Sequence, residues 1–280
     1  MAGMMIFGPP IDARALFPVE RAALLELLAG LEPADWARAT VCPGWAVRDV
    51  VAHVLNDYLR RISGSRDRHS GAIFANDETL PGYIARTNEE FVRAASQCSP
   101  RVMTDLLAHL GPQMDQVWAG MDLEAPAELN VSWADPEATS PAWLDIARDY
   151  TEYWVHQQQV RDAVGRPGAD GPDLLVPVVD TFLRALPNAL RGEPRPEGTE
   201  VRFEVTGPAG GVWAAAVTGG RWIPVPEAGA PAATVRMDQD TLWRLATRGI
   251  TVEQARARAR LEGDPGLTEA ATTLLAIVWV

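Results

Sequence analysis

The sequence predicts an α+β chain of two domains, a helix bundle followed by a small sheet with helices. Three observations carry this. Through about the first 165 residues the apolar positions recur at helical spacing. From Glu200 onward, Val201, Phe203 and Val205 alternate with polar neighbours, which is strand period. Between the two patterns, residues 191–199 are rich in Pro, Gly and charge and read as a linker. The predicted domains are residues 10–166 and 174–280, and 280 residues suit two domains of roughly 150 each.

Each predicted element has a local reason. Asp12 is placed to cap a first helix, whose Leu16, Ala23, Leu24, Leu27, Leu28 and Leu31 share one face and which Pro33 ends. Cys42-Pro43-Gly44 is a turn before a helix from Ala46 to Ile62, with Val47, Val50, Val51, Val54 and Leu55 on one stripe. Residues 63–80 are a polar loop, and helices from Pro81 to Gln97 and from Pro100 follow, the latter carrying Leu106, Leu107, Leu110, Met114, Val117 and Trp118. Residues 121–139 form a second long loop. Loops of that length in a compact domain are often functional, and substrate choice is expected to be set in these two. The best-bounded helix spans 141–164, with Ser140 as its cap, Pro141 in its first turn, and Gly165 and Pro167 closing it. A further helix from Leu174 to Leu190 is interrupted by Pro177 and Pro187. In the tail, residues 207–211 make a hairpin turn, and Val212–Val217, Trp222–Val225 and Thr234–Met237 are strands. Helices then open at Asp240, run from Thr251 to Arg260, and close the chain from Leu267 to Ile277.

Composition narrows the function classes. Hydrophobic residues at 47% and charged residues at 22% are those of a globular protein. A net charge of −12 repels polyphosphate and argues against a nucleic-acid partner. No apolar run approaches the roughly 18 residues of a membrane span. The start has no basic flank and meets Gly8-Pro9-Pro10 at once, unlike a signal peptide. Two cysteines, Cys42 and Cys98, make neither a disulfide framework nor a thiolate zinc cluster, so the cytoplasm is the expected location. All 25 basic residues are Arg, which excludes a Schiff-base lysine and a P-loop lysine.

Four histidines are present. His156 follows Glu152 by four residues on the best-bounded helix, so carboxylate and imidazole share a face and converge on one point. His53 lies mid-helix on the Val-rich side of residues 46–62. Bundles build metal sites from inward side chains on facing helices. His53, Glu152 and His156 together offer two nitrogens and a carboxylate, the donor set of catalytic zinc with one position open. The same spacing also occurs in helices that bind nothing, and a lone His on an apolar face is usually a satisfied core residue. His69 and His109 show no partner pattern. Asp49, four before His53, suits either a hydrogen bond to the ring or the helix-start dipole. Asn56, Asp57 and Asp149 lie at spacings that face the site or solvent. Cys42 reads as a packed turn residue rather than a nucleophile, and Cys98 likewise. Trp154, between Glu152 and His156, points half a turn away and packs elsewhere. With Lys absent, Arg48, Arg161 and Arg248 are the candidates for a carboxylate clamp, each with a surface role as the alternative.

Several of these stretches resemble one known family. Asp35-Trp36, Cys42-Pro43-Gly44-Trp45, Val47-Arg48-Asp49 and Ala52-His53, then Glu152-Tyr153-Trp154-Val155-His156 and Arg161-Asp162-Ala163-Val164-Gly165-Arg166-Pro167, resemble the signature of the mycothiol-dependent maleylpyruvate isomerase family. That family is a branch of the DinB-like four-helix bundles. Asp240-Thr241-Leu242-Trp243-Arg244-Leu245 and Leu261-Glu262-Gly263-Asp264 are similar to its C-terminal, sterol-carrier-like α+β domain. The resemblance covers nearly the whole chain. It implies that His53, Glu152 and His156 are catalytic and bind a divalent metal, zinc in the family. It implies mycothiol as the thiol cofactor and a small electrophile as substrate. A metal-bound thiol is deprotonated and becomes a nucleophile at neutral pH. In the isomerase this thiolate adds to a conjugated double bond, rotation follows, and elimination returns the other isomer. Related transferases use it to displace or open an electrophile. The alternatives from the residues are a metal-dependent hydrolase or secondary-metabolism enzyme without mycothiol, and a non-catalytic protein that binds a metal or small ligand.

Overall fold

The computed structural model describes residues 6–69, 71, 75 and 77–275. The predicted loop at 63–80 and the predicted last helix to Ile277 lie partly outside them. The described chain has the predicted α+β class, with helices first and then one five-stranded sheet with helices. Its contacts divide it into two compact units. One comprises Ala13–Asp122 and Glu152–Ala169, and the other residues 6–12, Leu123–Thr151 and residues 170–275.

The helical unit holds α1 (Phe17–Ala29), α2 (Val47–Arg61), α3 (Leu80–Ala95), α4 (Pro100–Ala119) and the later part of α5 (Ala142–Val164). Helix α2 packs against α3 and α4, and α1 against α4. Asp12 does not cap α1. The chain first makes a 3-10 turn over Arg14–Leu16, and α1 then starts at Phe17 with Pro18 in its first turn and Gly30 at its end. Helix α2 begins after Ala46, whose methyl group accepts nothing. Asp49 supplies the missing acceptor, its Oδ2 taking the Ala46 N–H at 2.9 Å. This is the reciprocal half of a capping box. Thr79 and Ser99 cap α3 and α4 by accepting from Gly82 N and Val102 N. The predicted stripe on α2 is the core, with Val47, Val50, Val51, Val54 and Leu55 at 2% exposure or less. Around it sit Phe17, Tyr58, Trp118 and Tyr153, with ring centroids 5.0–6.0 Å apart in tilted and edge-on pairs. Such pairs contribute about 0.5–1.5 kcal/mol each beyond their area.

The second unit carries β1 (Glu200–Thr206), β2 (Gly211–Thr218), β3 (Arg221–Val225), β4 (Ala233–Asp238) and β5 (Arg260–Gly263) in the order β3-β2-β1-β4-β5. Strands β1 and β4 run parallel, with Phe203 opposite Val235, and the other pairs are antiparallel. Helices α6 (Pro172–Leu183), α7 (Leu186–Ala189), α8 (Gln239–Ala246), α9 (Val252–Arg258) and α10 (Pro265–Ala271) complete it. Pro177 does not interrupt α6. It lies inside the helix and forgoes one backbone bond, to the Asp173 carbonyl, without ending it, and the break falls at Arg184–Ala185. Ser140 does not serve as predicted either, since its Oγ accepts the Val131 N–H at 2.9 Å and Pro141 O receives the first helical bonds of α5.

Candidate metal centre

The Cys42–Trp45 turn hands the chain into α2, whose apolar stripe buries His53 to 5% exposure. Helix α5 delivers Glu152 and His156 one turn apart. His53 Nε2 stands 3.2 Å from Glu152 Oε1, and His156 Nε2 stands 4.0 Å from the same oxygen. The two imidazole rings meet edge-on, with centroids 4.7 Å apart. One donor atom from each of the three residues lies within 4.8 Å of the others. Three atoms so placed have a common centre no more than about 2.8 Å from each, at most about 0.6–0.8 Å beyond a zinc–nitrogen or zinc–oxygen bond of about 2.0–2.2 Å. Small side-chain rotations close that gap. The donor set therefore fits a divalent cation, and Glu152, with 31% of its side chain exposed, is the open side.

The two imidazoles differ electrostatically. Burial disfavours charge on His53, but the Asp57 and Glu152 carboxylates outweigh it and raise the ring above its ordinary value. Burial, reinforced by His53, pushes His156 down to about 4. His156 is thus neutral at pH 7, the form that ligates, whereas the carboxylates beside His53 favour its protonated form, with which a cation there would compete.

The other residues singled out from sequence fall as follows. Asp57 lies by the site, its Oδ2 3.6 Å from His53 Nε2. Asp49 serves the start of α2 and not the imidazole. Asn56 donates to Asn88 Oδ1 at 3.4 Å, and Asp149 accepts from Arg148 at 2.8 Å. Trp154 faces away, donating from Nε1 to Ala169 O at 2.8 Å. Arg48 donates to Ser96 O, and Arg161 to Gln157 Oε1, Arg166 O and Ala23 O, so both bond groups of the fold itself. Arg248, His69 and His109 are exposed. Burial pushes the Cys42 thiol up, so it stays protonated and donates to Gln159 Oε1 at 3.2 Å. Gln159 is the residue beside the site that the spacing of His and Glu does not single out. Its signal in the sequence is its place three residues after His156, on the same helical face.

Comparison with known proteins covers the segment that holds these residues. A family model described as the mycothiol maleylpyruvate isomerase N-terminal domain matches residues 17–161. A solved mycothiol-dependent maleylpyruvate isomerase is 13% identical at a TM-score of 0.52, over 84% of this chain and 88% of its own. A histidine-to-alanine mutant of the mycothiol-dependent maleylpyruvate isomerase is 12% identical at a TM-score of 0.52, over 89% of this chain and 91% of its own. At such identity the likeness concerns the fold. No curated protein matches the sequence.

Proposed function

Because the chain belongs to the family of the mycothiol maleylpyruvate isomerase N-terminal domain, we propose that it is a thiol-dependent metalloenzyme acting on a small electrophile. It isomerises a conjugated double bond or transfers the thiol, with mycothiol as the thiol. His53, Glu152 and His156 hold the divalent ion, zinc being suited to two imidazoles and one carboxylate. The observation that carries this reading is the approach of both Nε2 atoms to one carboxylate oxygen, from two helices about 100 residues apart in sequence.

When bound, the ion supplies Lewis acidity that lowers the pKa of a thiol in its open position. The chain's own residues do the rest. Burial of His53 and His156 excludes water from the inner side of the site. Glu152 contributes the negative charge that balances the cation and stands on the solvent side, where thiol and substrate enter. Asp57, beside His53 Nε2, adds a second carboxylate that attracts the cation. Cys42 remains a neutral thiol, so the reacting sulfur is that of the cofactor.

Metal analysis of the purified protein, followed by incubation with mycothiol and a panel of electrophiles including maleylpyruvate, tests the reading. The expected result is bound zinc and either isomer conversion or thiol consumption. The variant H53A abolishes both without unfolding the chain. Turnover that survives in folded H53A, or ligand retention without turnover under any thiol, overturns it.

A further inference from the structure

We infer that Gln159 is a positioning residue that decides which nitrogen of His156 faces the ligand site, and that Cys42 holds Gln159 to that task. The inference rests on the reading of His53, Glu152 and His156 as ligands, and extends it to the residues behind them.

Gln159 Oε1 lies 2.8 Å from His156 Nδ1 and 3.2 Å from Cys42 Sγ. Gln159 is 4% exposed, so its amide cannot turn to bulk water. An amide oxygen has two lone pairs, and a thiol sulfur is a poor acceptor. The arrangement that satisfies all three groups has the oxygen accepting from both sides, from the Cys42 S–H and from His156 Nδ1–H. A neutral imidazole has a single N–H. Once Nδ1 carries it, Nε2 is left with its lone pair aimed at the side where Glu152 Oε1 stands. This is the arrangement in which a ligating imidazole has its second nitrogen fixed by an outer acceptor.

The turn ahead of α2 is built to hold this arrangement. Thr40 N donates to Trp45 O at 3.0 Å, Trp45 N to Cys42 O at 3.0 Å, and Thr40 Oγ1 to Trp45 O at 2.8 Å. Cys42 N donates to Thr40 Oγ1 at 3.1 Å. The closed turn presents Cys42 to Gln159 and sets the Trp45 ring 5.3 Å from the ring of His53. One short segment thus backs both imidazoles. The two are not treated alike. His53 Nδ1 is buried with no hydrogen-bond partner among the described residues, whereas His156 Nδ1 has the Gln159 oxygen, so His156 is the ring whose outer nitrogen is held by an acceptor.

The test reads the tautomer directly. Long-range proton–nitrogen correlation spectra of the metal-free protein are expected to show His156 protonated at Nδ1. This measurement needs no variant, and a wild-type His156 protonated at Nε2 overturns the inference. Q159L removes the acceptor at similar volume, and Q159E keeps an oxygen in place. Q159L is expected to lose the Nδ1–H form and to bind zinc about 10- to 100-fold more weakly in competition with a chromophoric chelator. Q159E is expected to restore both. Cys42→Ala is expected to keep the tautomer and weaken zinc binding by less than Q159L. If folded Q159L matches wild type in tautomer and affinity, Gln159 has no positioning role. If wild type binds no divalent ion, the ligand reading fails while the tautomer still decides the role of Gln159.

Discussion

Replacing Glu20 with Gln should remove a pH dependence that α1 builds into the stability of the helical unit. Glu20 is 1% exposed. Its Oε1 accepts from Gln157 Nε2 at 2.6 Å, and its Oε2 is buried without a hydrogen-bond partner among the described residues. Burial raises this carboxyl from 4.5 to about 7, against the pull of Gln157, Arg21 and Arg161. The sign follows from linkage. A carboxyl raised on folding favours the protonated native state, so its contribution is fully present below the unfolded value of 4.5 and is lost as pH rises through about 7. At about 1.4 kcal/mol per pKa unit the whole effect is on the order of 3 kcal/mol, of which about 2–3 kcal/mol falls between pH 5 and pH 8.5. The assay is guanidinium unfolding of wild type and E20Q at both pH values, followed by far-UV circular dichroism. At pH 5, E20Q should be the less stable by about 1 kcal/mol, because the amide carries two N–H donors where the protonated carboxyl carries one O–H, and the extra donor finds no acceptor. At pH 8.5 the order should reverse. A gap between the two proteins that stays constant with pH refutes the reasoning.

Two further outcomes follow from the same unit. Asp115→Ala leaves the Arg21 guanidinium, 8% exposed and held bidentately by that carboxylate, without its counter-charge. The pair is only partly buried, so the loss should be about 2 kcal/mol rather than that of a fully buried pair, read from the shift in denaturant midpoint. Gly44 has φ +79°, and a Cβ built there meets nothing within 4 Å. Gly44→Ala should therefore cost about 1 kcal/mol through the backbone alone, and Gly44→Asn less, since Asn tolerates the left-handed region. Equal melting temperatures for the Ala and Asn variants would count against that account.

Periodicity makes some elements legible and leaves others dark, for identifiable reasons. The predicted helix from Ala46 to Ile62 is α2 over Val47–Arg61, because a one-sided valine stripe has one way to be buried. The alternation at Val201, Phe203 and Val205 is β1, whose apolar partners on β4 keep the same phase. Strand β5 carries no signal in the sequence because all four of its residues are exposed and it pairs with β4 at the edge of the sheet. It offers no apolar alternation, and the helix predicted from Thr251 to Arg260 ends at Arg258. Around His53, Asp49 and Asp57 stand at equal distances in sequence, and spacing does not choose between them. The fold does, because Asp49 lies in the first turn of α2, where the Ala46 N–H has no acceptor within the helix, and Asp57 does not.

Helix α5 shows why the polar interior was harder to read than the apolar core. Beyond Glu152 it presents three polar faces, each with a different neighbour. Glu152, His156 and Gln159 meet His53 and Cys42. Gln157 and Arg161 meet Glu20 and the Ala23 carbonyl on α1. Trp154 and Gln158 bond to the carbonyls of Ala169 and Gly168. A helix with solvent on one side announces its inner face by contrast, and α5 has little such contrast because it is enclosed on several sides. These polar residues are inside because each has a partner, and the partners lie more than 100 residues away for Cys42, Glu20 and Ala23. Enclosure also explains why one helix can serve two unlike sites. The imidazole–carboxylate cluster and the Glu20 carboxyl sit on different faces of α5, and the aromatic layer of Phe17, Tyr58 and Tyr153 packs the same interior. Substitutions on the Glu20 face should therefore change stability and its pH profile while leaving zinc affinity near wild type, and substitutions at Gln159 should do the reverse.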